Sequence, residues 1–251
     1  MKRIRLRWRT ASVCGLVAAL CAHVLTSSFA GTDSFDGREL GPDWVVRSTG
    51  QAEYFVHDGW LHVDVPGNHR LWLLPNRNMD GPMFLVTPPA VATVSFETRL
   101  RFVDGPSVPT SAAAGLIITR ESLQTFALLG ARRGFTPPAV TGQWWDIEPG
   151  GAGAGGGDGP AEAFRTGEDL WMRFEQRGDT FVLFTKEAED GPWTDITPHM
   201  KGSFPHMDFR FEPGSYSIGL FVKSGLEPDE DVEVAFDYFR SPDIKTLGVD
   251  P

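Results

Sequence analysis

Glu53-Tyr54-Phe55-Val56-His57-Asp58-Gly59-Trp60-Leu61-His62-Val63-Asp64-Val65 is the stretch whose reading decides the fold. Two alternating runs meet at Asp58-Gly59, a pair favoured in the type I′ turns whose twist suits the flanking strands. Folding the runs back on that turn fixes their pairing. Tyr54, Val56, Leu61, Val63 and Val65 share one face, the core face. Glu53, Phe55, His57, Trp60, His62 and Asp64 share the other, because strand side chains alternate with period two.

The same alternation recurs from Trp44 to Arg240, and no segment carries a helical period. In Ala92–Val103, Val94, Phe96, Thr98, Leu100 and Phe102 point one way. Ser95, Glu97, Arg99 and Arg101 point the other. Leu170–Arg177 and Thr180–Glu187 predict a second hairpin around Gly178-Asp179, where a leading glycine suits a type II′ turn. Tyr216–Lys223 and Val232–Arg240 supply two late strands. Gly115–Arg120 and Gln124–Arg132, apolar on both faces for much of their length, read as central strands. About a dozen short strands with Gly, Pro and Asp turns predict an all-β fold, an antiparallel two-sheet sandwich. The chain has no internal repeat of the kind a propeller needs. Gly150–Pro160, with seven glycines in eleven residues, reads as a mobile surface loop.

The first thirty residues stand apart. Lys2, Arg3, Arg5, Arg7 and Arg9 precede an apolar run from Ala11 to Leu25, and Ser28-Phe29-Ala30 offers a cleavage site. That order predicts a cleavable secretory signal over 1–30 and a single domain over 31–251, secreted or held in the cell envelope or periplasm. Both cysteines, Cys14 and Cys21, fall in the signal, so the exported chain is expected to have no disulfide and to rely on its hydrophobic core. Removing the five basic signal residues from 23 leaves 18 against 33 acidic ones, a net charge of −15. Such a surface repels nucleic acid and anionic membranes. The chain is expected to be a monomer.

Several local patterns together resemble a known family. Asp33-Ser34-Phe35-Asp36-Gly37 with Leu40 and Trp44 looks like the opening strand of concanavalin A-like modules, and His57-Asp58-Gly59-Trp60-Leu61 like their first hairpin. Ala114-Gly115-Leu116-Ile117-Ile118 resembles their central strand, and Leu170-Trp171-Met172-Arg173-Phe174 with Gly178 their "WLRL…G" segment. Asp190-Gly191-Pro192-Trp193 matches the "DG-x-W" turn and Ala235-Phe236-Asp237-Tyr238-Phe239 the closing strand. The chain thus resembles the β-sandwich domain attached to the C-terminus of family 43 β-xylosidases, and its free-standing relatives. The resemblance implies a two-sheet jelly roll and a carbohydrate-directed role, often without catalysis.

Gln143-Trp144-Trp145-Asp146-Ile147-Glu148 is the stretch richest in site chemistry. Its Asp-x-Glu part resembles the Glu-x-Asp-x-Glu strand of family 16 glucanases, but Trp144 holds the nucleophile position and cannot form a glycosyl-enzyme bond. An aromatic strand end without a site is the plain alternative. Tryptophan stacks on the apolar face of a pyranose while charged neighbours bond its hydroxyls. The carbohydrate-binding candidates are Trp60, His62, His69, Trp72, Arg120, Arg132, Trp144 and Trp145. Trp44, Trp171 and Trp193 read as core or turn anchors. Were the chain an enzyme, a glycosidase or polysaccharide lyase would use Asp146, Glu148 or Glu97.

The histidines lack zinc-site spacing, no Gly-x-Ser-x-Gly elbow is present, and Gly151, Gly153 and Gly156 open no βαβ unit. Arg177-Gly178-Asp179 is explained by its hairpin turn. The resemblance also implies room for a structural calcium ion on Asp36 and Asp237, where first and last strands meet; hard carboxylate oxygens suit that ion. Asp36 as a plain turn residue before Gly37 is the equal alternative. No other cofactor is expected. The leading expectation is a secreted module binding a neutral poly- or oligosaccharide without catalysis. The rivals are a glycosidase or lyase, and a structural or protein-binding envelope domain.

Overall fold

The structure is a computed structural model that describes residues 31–47, 51–69, 80–88, 94–103, 112–120, 123, 125–132, 139–146, 153–160, 169–177, 180–199, 215–225 and 229–241. Fifteen strands follow one another in these residues. The first are β1 (Thr32–Asp33), β2 (Val45–Arg47), β3 (Glu53–His57), β4 (Trp60–Val65) and β5 (Met83–Val86). Then come β6 (Ser95–Phe102), β7 (Ala113–Arg120), β8 (Thr125–Arg132), β9 (Ala139–Asp146) and β10 (Gly153–Pro160). The last are β11 (Leu170–Arg177), β12 (Thr180–Lys186), β13 (Thr194–Asp195), β14 (Tyr216–Lys223) and β15 (Val232–Arg240).

They form two antiparallel sheets. Sheet A runs β13-β12-β11-β6-β15-β4-β3, with β1 also paired to β15; sheet B runs β10-β9-β8-β7-β14-β5-β2. The all-β sandwich expected from the alternation is the fold. At the β3–β4 turn, Asp58 and Gly59 both take positive φ (50° and 77°), as a type I′ turn requires. Val56 pairs with Leu61, Phe55 with His62 and Tyr54 with Val63, the register written from sequence. The second hairpin is equally faithful, with Arg177 opposite Thr180 across a two-residue connection.

The core lies between the sheets. From sheet A it takes Leu61, Val63, Phe96, Leu100, Phe174 and Phe236; from sheet B, Phe84, Leu116, Ile118, Leu129, Ile218 and Leu220. The opening motif is explained by what it anchors. Asp33 Oδ1 accepts from the Phe35 amide (2.9 Å) and its Oδ2 from Trp44 Nε1 (2.7 Å). Phe35 and Trp44 then pack in the core with Phe239. Phe35 holds φ at 52°, costly for an aromatic residue and sustained here by that bond and packing.

The closing strand is irregular in a way that matters. Val232, Val234 and Phe236 are buried in the core, but so is Phe239, which a regular alternation would turn outward. A β-bulge absorbs the difference: Phe236 pairs with Leu100 and Tyr238 with Arg99, leaving Asp237 as the extra residue. Asp237 and Tyr238 therefore both lie on the outer side of sheet A.

The glycine-rich stretch departs from expectation. Gly153–Pro160 is not a loop but a strand, paired residue for residue with β9 from Gly153↔Asp146 to Pro160↔Ala139. Glycine disfavours strands on its own account, but the unpaired edge of β9 supplies a template for its backbone. Gly150 to Ala152 lie outside the described residues.

Candidate functional site

The outer face of sheet A is built from cross-strand rows. In one, Arg240 of β15, Glu97 of β6 and Arg173 of β11 stand side by side. Glu97 is 1% exposed although it lies on the outer face. Arg173 donates to its Oε2 from Nε and Nη2 (2.7 and 2.5 Å); Arg240 donates to Oε1 from Nε (3.0 Å) and Nη2, and Tyr238 Oη adds a longer bond at 3.4 Å. Two guanidinium forks thus cancel the cost of burying one carboxylate.

The next row is Tyr238–Arg99–Trp171–Lys186, across β15, β6, β11 and β12. Here cations alternate with rings. The Arg99 guanidinium lies 5.4 Å from the Trp171 ring centre, and Lys186 Nζ lies 5.6 Å from Trp171 and 5.2 Å from Trp193. Arg101 and Arg99 cover Trp60 at 3.9 and 4.7 Å, and Arg173 covers Trp193 at 4.2 Å. Such cation–π contacts fix long side chains that would otherwise be mobile.

This second row floors a pocket of about 600 Å3. The bulge turns Asp237 into it beside Tyr238. The β1 segment contributes Ser34 and Asp36, the β3–β4 turn Asp58 and Gly59, and the turn after β12 Glu189. The pocket thus forms where the two ends of the described chain meet, with Thr32 opposite Arg240.

Its charges are largely committed to one another. Arg99 Nε lies 3.3 Å from carboxylate oxygens of both Asp169 and Asp237, and Arg101 Nε 3.0 Å from Asp169. Lys186 donates to the Glu189 carbonyl, and Ser34 Oγ to Asp36 (2.5 Å). Burial raises the Asp237 pKa above the ordinary carboxylate value; Arg99 pulls it down and Asp169 pushes it up, both more weakly. Burial, and after it the Glu97 carboxylate, lifts the Tyr238 hydroxyl well above its usual range, so it remains a donor at all physiological pH.

The sequence-derived candidates separate. Trp60 lies on the outer face of sheet A beneath its arginines. His62 stacks on Phe55 (4.9 Å, 1° between planes) and donates to Glu233 Oε1 at 3.1 Å. His69 is buried, with Nδ1 donating to the carbonyls of Pro66 (2.8 Å) and Gly67 (3.1 Å), a loop-fastening arrangement. Arg120 ends β7 in sheet B, as Arg132 ends β8. Trp144, Trp145 and Asp146 belong to β9, paired with Ala127, Phe126 and Thr125. Trp72 and Glu148 lie outside the described residues. Trp44 is a core anchor; Trp171 and Trp193 instead meet the cations of sheet A's outer face. Glu97 has both oxygens held by guanidinium donors, which leaves it ill placed to move a proton.

Asp36 and Asp237 do come to one pocket, as a calcium site would need. Their surroundings do not suit the ion, because Arg99, Lys186 and Arg240 line the same space. Among the described residues no three His, Cys, Asp or Glu side chains converge on a metal position. The residues that sequence reasoning missed are Arg99, Trp171, Lys186, Glu189, Tyr238 and Arg240 as pocket formers. One signal was present: the Phe236…Phe239 spacing cannot fit one face of a regular strand, so it marks the bulge.

No protein-family model and no curated protein matches this sequence. Solved structures do match. A family 43 glycoside hydrolase from Bacillus licheniformis superposes with a TM-score of 0.61 at 15% identity, over 85% of this chain and 39% of that one. The fold is a concanavalin A-like jelly roll. A xylan β-1,4-xylosidase from Bacillus halodurans (TM-score 0.53, 17% identity) shares it over 84% of this chain and 38% of its own. The jelly-roll chain therefore spans about two fifths of each glycosidase. The carbohydrate recognition domain of Emp47p (TM-score 0.52, 13% identity) matches over 85% of this jelly roll and 95% of its own length.

Proposed function

We propose that this chain is an exported carbohydrate-binding module that acts from the outer face of sheet A without catalysis of its own. The carrying observation is the pocket over the Tyr238–Arg99–Trp171–Lys186 row, where rings, carboxylates and cations converge on a volume typical of small-ligand sites. Structures named as glycosidases and as a carbohydrate recognition domain share the fold, which supports a sugar ligand. The clamped state of Glu97, and Trp144 at the position a family 16 nucleophile would fill, favour binding over hydrolysis. Residues 1–30 provide the export signal in this reading.

A glycan array joined to a reducing-end assay on xylan, arabinan and glucans tests it. Binding without release of sugar ends is the expected result. Release abolished by Glu148→Gln or Asp146→Asn would establish a glycosidase instead. The mass of the secreted chain, short by residues 1–30, checks the export signal.

A further inference from the structure

We infer that the pocket receives the end of a glycan chain rather than a stretch within one, an inference that rests on the carbohydrate-binding reading above. A site for internal segments needs bare aromatic faces along an open path, on which successive sugar rings stack. Among the described residues three tryptophans stand on the outer side of sheet A, and each already has cations against its ring. Trp60 lies under Arg101 and Arg99, Trp193 under Arg173 and Lys186, and Trp171 is only 7% exposed between Arg99 and Lys186. Stripping a guanidinium from an indole to admit a sugar would lose one favourable contact to gain another. The tryptophans therefore serve to hold the cations of this face, and of the three Trp171 lines the pocket.

What the face offers instead is a cavity with a polar rim. Three connecting segments stand around its floor: the β1 segment with Ser34 and Asp36, the Asp58-Gly59 turn, and the turn bearing Glu189. Their carboxylates and hydroxyls accept or donate to sugar hydroxyls, and a terminal unit carries more free hydroxyls than an internal one. About 600 Å3 admits a small ligand unit but no long segment. Among the described residues the outer face also has an exposed ring, Phe55 (51% exposed), stacked on His62 at the edge strand β3. It is not among the residues that line the pocket.

The decisive experiment is calorimetric titration of the full secreted chain with xylo-, arabino- and cello-oligosaccharides, each from monosaccharide to hexasaccharide. End recognition requires affinity to level off by the disaccharide. Asp58→Asn and Glu189→Gln, both exposed and isosteric, should each weaken binding by about fivefold, the effect of one lost hydrogen bond. Their unchanged melting temperatures would exclude unfolding as the cause, and Phe55→Ala should bind as well as wild type. Affinity that keeps rising to the hexasaccharide, or is lost in Phe55→Ala, would overturn end recognition while leaving a carbohydrate-binding module. Absence of binding to every oligosaccharide and to the parent polysaccharides would overturn the module reading itself.

Discussion

The two sheets share one core but differ on their far sides. Behind sheet B, Met83, Leu85, Ala113, Ile117, Leu128 and Phe221 form a second apolar cluster, buried like the first. Behind sheet A, the equivalent positions hold Glu97, Arg99, Arg101, Trp171 and Arg173, tied together by ion pairs and cation–π contacts. One outer face is built like an interior; the other is a rigid polar surface. Non-directional burial can hold a sheet but cannot orient a polar ligand. Directed bonds can do both, which is why the candidate site belongs to sheet A.

That contrast can be broken by mutation. Phe221→Ala, on the buried outer side of sheet B, should cost about 3–5 kcal/mol in urea unfolding, as for any large core ring. A smaller loss would show that side to be less interior-like than its burial implies. Glu97→Ala should cost less, about 2 kcal/mol, because Arg173 and Arg240 are partly in water and can rehydrate once their partner is gone. A cost near zero would remove the clamp as a stabilising feature of sheet A. The Trp60–Arg101 contact should give a coupling of about 0.5–1 kcal/mol in a double-mutant cycle.

Acid titration sharpens the same comparison. Asp237 has a folded pKa above its unfolded one, so the native state binds the extra proton. Its contribution is therefore favourable at low pH and is lost as pH rises from the unfolded value through the folded one. Asp237→Asn should remove that loss, giving a gain below about 1 kcal/mol at pH 7 that vanishes in acid. A destabilised variant at neutral pH would mean that its pairing with Arg99 outweighs its burial. The smallest effect expected is none: calcium and chelator should leave the melting temperature unchanged. A rise with calcium would reinstate Asp36 and Asp237 as ligands.

The architecture was legible where pattern and turn chemistry agreed. The register of the Glu53–Val65 hairpin and the inward set from Val94 to Phe102 could be written residue by residue, because one buried face fixes strand register. Tyr54, on the edge strand β3, is nonetheless exposed where the alternation assigned it to the core face. The glycine strand was not legible, since its order comes from its partner β9 and not from its own residues. The site was half legible. Asp36 and Asp237 could be brought together from the resemblance, but the arginines around them could not. Charges alternating along β6 look like any solvated face until the neighbouring strands set Glu97 between two guanidiniums. Trp171 and Trp193 look like anchors until the sheet supplies cations above them.

The clasp between β1 and β15 has a consequence for when the pocket can exist. Thr32 pairs with Arg240, and the Ser241 amide donates to the Gly31 carbonyl at 2.5 Å, so the pocket draws on both ends of the described chain. Contacts so distant in sequence close large loops, and such closures dominate the folding time of sandwiches. A chain still being synthesised can hold Arg99, Trp171 and Lys186 but lacks the Asp237, Tyr238 and Arg240 side of the pocket, and the strand that pairs with Thr32, until β15 arrives. Binding competence is thus a report on completed folding, and a nascent or C-terminally clipped chain would be silent towards the ligand even with most of its sheets in place.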